Sequence, residues 1–84
     1  MKFQKPFFVE LPKNFSVEVF GDNKEKIWIE PTGVHMTYDR QNVYIQYAGE
    51  DAHNSYAKLE LPSDPKLLRK LSKQINKMAK EMES

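Results

Sequence analysis

The chain predicts an α+β fold: an antiparallel meander of five or six strands, strongly curved or barrel-like, with one C-terminal amphipathic helix. Three observations carry that expectation. Before residue 62 the apolar residues recur with period two, in short runs rich in β-branched and aromatic side chains. Those runs are separated by turn residues such as Gly21-Asp22-Asn23, Pro31-Thr32-Gly33 and Asp39-Arg40-Gln41-Asn42. After Asp64-Pro65 the period changes to three and four and stays there to about Met82.

Taken in order, Phe7 to Leu11 is the weakest run, flanked by Pro6 and Pro12, which suits an edge or entry strand. Phe15 to Phe20 alternates apolar and polar residues, turns at Gly21-Asp22-Asn23, and forms a hairpin with Lys26 to Glu30. Pro31-Thr32-Gly33 makes a tight turn, Pro31 presetting φ and Gly33 accepting positive φ, and leads into Val34 to Tyr38. Asp39 to Asn42 turns the chain into Val43 to Ala48. A polar loop from Gly49 to Asn54 precedes the last strand, Ser55 to Leu61. Asp64 then stands as N-cap before a proline at the first helical position, a strong start signal.

With 84 residues the chain forms one domain, residues 1–61 making the β meander and residues 64–82 the helix. It contains no cysteine, so disulfide stapling and thiolate metal sites are excluded, in keeping with a reducing compartment. The N-terminal apolar run is short and interrupted by Glu10, which predicts neither a signal peptide nor a membrane span. The expected location is the cytoplasm.

Net charge is +1, but it divides unevenly. Residues 1–64 hold seven Lys/Arg against ten Asp/Glu, a net of −3, whereas residues 65–84 hold six against two, a net of +4. At about 100° per residue, Lys66, Arg69, Lys70, Lys73, Lys77 and Lys80 fall within about 100° of helical arc. No acidic residue lies between Pro65 and Lys80 to pair with them, so like charges at i,i+4 repel by a few tenths of a kcal/mol each. The apolar residues Leu67, Leu68, Leu71, Ile75, Met78, Ala79 and Met82 occupy the opposite arc and are expected to dock on the sheet.

Strand alternation assigns Phe15, Val17, Val19, Ile27, Ile29, Val34, Met36, Val43, Ile45, Leu59 and Leu61 to the face beneath the helix. The other face then carries Phe20, Trp28, His35, Tyr44 and Tyr56, an aromatic set that suits a partner-binding platform, a homodimer contact or the inside of a closed barrel. Two surfaces are therefore candidates for partner binding: this aromatic face and the basic stripe from Lys66 to Lys80.

Catalytic constellations are missing from the pattern. His35 and His53 lack metal-site spacing, the acidic residues concentrate at turns where they serve local hydrogen bonding, and there is no nucleophile elbow or glycine-rich phosphate loop. No catalytic residue, metal ligand or cofactor is expected. The chain is expected to be a small non-enzymatic binding or regulatory module whose partner is a protein with an acidic or apolar surface. Nucleic-acid or phosphate binding through the basic helix is the second reading, and a structural homo-oligomer the third.

Overall fold

A computed structural model describes residues 7–21, 23–50 and 58–84. The elements follow in the order β1 (Phe7–Glu10), β2 (Val17–Phe20), β3 (Lys26–Ile29), β4 (Gly33–Tyr38), β5 (Asn42–Ala48), β6 (Lys58–Pro62) and α1 (Pro65–Glu83). The α+β class, six antiparallel strands and a C-terminal helix agree with the sequence. The connectivity does not. The strands form two sheets, one in the order β1-β4-β5-β6 and the other the β2-β3 hairpin alone.

The reason lies at β4. Its first edge is taken by β1, with Phe7 opposite Met36 and Val9 opposite Val34, and its second by β5, with Met36 opposite Ile45 and Tyr38 opposite Val43. Nothing is left for β3. Buried Pro31, which cannot donate to a ladder, stands at the break, and the Leu11 amide donating to the Thr32 carbonyl at 3.0 Å extends the β1-β4 pairing instead. The larger sheet is therefore open, bounded by β1 and β6, rather than a continuous meander or a barrel.

Gly33 also departs from expectation. Its φ is not positive, and among the described residues the positive-φ positions are Asn14, Lys24 and Gly49. Gly33 is required by close approach: a Cβ there would lie 2.3 Å from the Phe8 ring and 2.7 Å from the Val9 carbonyl oxygen. The Asp39 turn behaves as its residues dictate. The Asp39 carboxylate accepts from the Gln41 and Asn42 amides, both at 2.8 Å, closing the β4-β5 connection.

Register places Val34, Met36, Tyr38, Val43, Ile45, Tyr47, Leu59 and Leu61 on one face of the larger sheet, together with Phe7 and Val9. Among the described residues, however, only Ile29 and Val43 are buried hydrophobics, Ile29 at 2 % exposure. Helix α1 starts as expected, with Asp64 accepting from the Lys66 amide at 3.0 Å and Pro65 at the first position. It is not docked along its length. Leu67, Leu68 and Leu71 are half-buried, while every residue from Ser72 onward is exposed. The expected docking by Ile75, Met78 and Met82 does not occur: only the first two turns of the helix rest on the sheet.

Candidate protein-docking surface

Between α1 and the sheet lies an apolar groove of about 590 Å³. The sheet contributes Phe7, Met36, Tyr38, Val43 and Ile45, and the helix contributes Leu68, Leu71 and Ile75. Alternation in β4 and β5 turns the sheet residues toward the helix, and the three- and four-residue spacing of α1 turns Leu68, Leu71 and Ile75 toward the sheet. The two apolar faces thus converge at the start of the helix and separate beyond it. Ile75 is 52 % exposed, Met78 53 % and Met82 81 %, so the stripe runs out of the groove toward solvent. A smaller cavity of about 320 Å³, between Val34, Ile45, Tyr47 and Leu59, continues along the same sheet face.

The basic stripe is present as the sequence implies. Lys66, Arg69, Lys70, Lys73, Lys77 and Lys80 are all exposed, and among the described residues none is held in an ion pair. Its charges stand on the far arc of the helix from the groove.

The aromatic set is not one surface. Phe20 and Trp28 sit on the hairpin, Phe20 opposite Lys26 and Trp28 opposite Glu18, and Trp28 is 68 % exposed. His35 and Tyr44 belong to the other sheet and are half-buried. Tyr56 lies outside the described residues. A continuous platform required all the strands to share one sheet, and the separate pairing of β2 with β3 divides it.

Tyr44 is already engaged. Its hydroxyl donates to the Asp39 carboxylate at 3.1 Å, and the Lys58 ammonium stands 5.3 Å from its ring centre while pairing with Glu60 at 2.9 Å. The Asn42 amide, followed by the Gln41 amide, holds the Asp39 carboxyl below its ordinary range. Donation to Asp39 raises the Tyr44 phenol, and Glu60 raises the Lys58 ammonium. Lys58 is thus paired with Glu60, and the phenol proton is committed to Asp39 and is not a free donor for a ligand. His35 carries a buried Nδ1 with no hydrogen-bond partner among the described residues.

Among the described residues no cluster of three or more His, Asp or Glu side chains is placed to hold a metal, and no helix is long and apolar enough to cross a membrane. The groove itself is the feature that sequence reasoning missed, because a helix docked flush on the sheet was expected. The three- and four-residue periodicity marks which side of the helix is apolar and carries no signal of what covers it. Comparison with protein-family models, with curated proteins and with solved structures finds no match to this chain.

Proposed function

We propose that the chain is a small non-enzymatic binding module that engages a protein partner along helix α1. The observation that carries this reading is the open apolar stripe, running from the groove at Leu68 and Leu71 through Ile75 and Met78 to the exposed Met82. Contiguous apolar surface left uncovered on so small a chain marks an interaction site. The fitting partner presents an apolar segment to the groove, and the cations on the far arc of the helix favour a partner of net negative charge only through long-range attraction. Of the two surfaces expected from sequence, the helix is favoured. The aromatic set is divided, and the Tyr44 hydroxyl is already engaged by Asp39 and the neighbouring Lys58 ammonium by Glu60.

The test is affinity capture from the native cell with wild-type chain, Ile75→Glu/Met78→Glu, and Trp28→Ala, keeping nucleic acid in the eluate. The doubly substituted helix should lose its protein partner by at least about tenfold, since a charge set into an apolar contact is costly, while Trp28→Ala should retain it. Equal capture by wild type and the helix variant would sink the reading. An eluate dominated by nucleic acid, released by salt and by Lys70→Glu/Lys73→Glu/Lys77→Glu, would replace it with phosphate-backbone binding.

A further inference from the structure

We infer that the basic arc of α1 is a second binding surface, one that takes the phosphate backbone of duplex DNA without regard to base sequence. It lies opposite the groove, so it stands independently of the protein-docking reading, and both surfaces can be occupied at once.

The first argument is an uncompensated electrostatic cost. Lys66, Arg69, Lys70, Lys73, Lys77 and Lys80 are all exposed, and among the described residues none is held in an ion pair. No Asp or Glu lies between Pro65 and Lys80, so the like charges at 66/70, 69/73 and 73/77 repel one another. Lys66, Arg69 and Lys70 also stand near the positive end of the helix dipole. A face that only kept the chain soluble would do so as well with both signs interspersed. A bound polyanion turns the same repulsion into attraction.

The rest of the chain does not neutralise the stripe. Residues 1–64 carry −3, yet only the first two turns of α1 rest on the sheet, and from Ser72 onward every residue of the helix is exposed. Lys73, Lys77 and Lys80 thus stand on a stretch of helix that the body does not cover.

Shape and composition select the anion. The cations extend about 21 Å along one ridge of the helix. Duplex DNA presents its phosphates in lines, one per about 3.4 Å on each strand, and its major groove, about 12 Å wide, admits a helix about 10–12 Å across. The deep, narrow major groove of duplex RNA does not. Five of the six cations are lysine, a residue depleted at protein interfaces and suited to phosphate as a point charge. Helix α1 contains no aromatic residue on which an unpaired base could stack. Its single arginine offers little reading of base edges, which leaves the contact to the backbone. A lipid surface would instead take up the exposed apolar arc of Ile75, Met78 and Met82 and turn the cations away from itself.

Fluorescence anisotropy of a labelled mixed-sequence duplex of about 20 base pairs, titrated with the purified full chain, tests this. The expected dissociation constant is about 1 µM at about 50 mM salt, weakening by about a hundredfold at about 200 mM. Lys70→Gln/Lys73→Gln/Lys77→Gln should weaken binding by at least about tenfold at the lower salt and reduce the salt slope by about 2 to 3. Arginine at the same three positions should preserve both. These side chains are exposed and glutamine is a good helix former, so circular dichroism should report an unchanged fold. Ile75→Ser/Met78→Ser leaves the charge unaltered and should bind the duplex as wild type does, which keeps failure of this inference distinct from failure of the protein-docking reading. Absence of binding up to about 100 µM chain at the lower salt overturns the inference, as does binding that the glutamine variant retains. Tighter binding to a single strand of equal length overturns it in favour of a stacking site elsewhere on the chain. Displacement of the duplex by an equal charge of poly-glutamate overturns it in favour of an acidic protein. Tighter binding to anionic phospholipid vesicles, abolished by Ile75→Ser/Met78→Ser, overturns it in favour of a lipid surface.

Discussion

Leu67, Leu68 and Leu71, at one end of α1, are half-buried, whereas Ile75, Met78 and Met82, farther along the same arc, are exposed. The two ends share one residue pattern, one helix and one set of opposing cations. They differ in what lies beneath them, since the sheet packs under the first two turns and not under the rest. Periodicity identifies which face of a helix requires cover, and it carries no information about what supplies that cover. The buried end belongs to the fold, and the exposed end is surface available for an interface.

The largest effect that would test this division is in the body. Ile29→Ala should cost about 2–5 kcal/mol, which approaches the whole stability a core of this size supplies, so loss of the cooperative urea transition by circular dichroism is expected. Met82→Ala, measured under conditions where the chain is monomeric, should fall within about 0.5 kcal/mol of wild type. Comparable losses for the two would break the comparison, because the exposed end would then be packed in solution as firmly as the core.

Most of the secondary structure was legible in the residues. Phe7 to Leu11 was marked as an edge by its flanking prolines, and β1 is the sheet edge. The Asp64-Pro65 start of α1 is present as written, because capping and proline geometry act within a few residues and need no tertiary context. Strand pairing was less accessible. A hairpin such as β2-β3 is local, but the choice of β1 over β3 as the partner of β4 depends on contacts more than twenty residues apart, and period-two alternation is silent on which run lies beside which. The aromatic surface was misassembled for the same reason. Phe20, Trp28, His35 and Tyr44 were each assigned to the side of their own strand away from the helix, and uniting them required a sheet order that the pattern did not contain. The basic stripe required no partner element, and all six of its cations are exposed.

A smaller effect probes the junction between the two ends of the helix. Asp64 accepts from the Lys66 amide and stands beside a first turn that contains Lys66 and no acidic residue of its own. Asp64→Ala should cost about 1 kcal/mol. Because the helix rests on the body only near this end, hydrogen exchange should quicken at residues 66–71 while the β4-β5 amides keep their protection. Equal quickening in both would show that helix and sheet open as one unit, and the comparison would then have to be drawn between body and solvent rather than within α1.

The smallest effect lies in the Asp39 turn, where the body's electrostatics can be separated from the helix altogether. Its carboxyl titrates below the ordinary value, chiefly because the Asn42 and Gln41 amides donate to the ionised form. A depressed folded-state pKa contributes stability that is fully present above the unfolded value near 3.8 and disappears as pH falls through the folded value. Tyr44 behaves in the opposite sense. Its raised pKa favours the neutral phenol that donates to Asp39, so its contribution is present below the unfolded value near 10 and is lost as pH rises through the folded one. The urea midpoint should therefore decline below about pH 4, and Asp39→Asn should flatten part of that acid limb. Tyr44→Phe should flatten the alkaline limb. Both groups are exposed, so each change should be smaller than the loss of the helix cap. Neither variant should alter capture of the partner, because neither side chain lies on the face that α1 leaves open; loss of the partner with Tyr44→Phe would place the interface on the opposite side of the sheet and reassign the surface this chain presents to its partner.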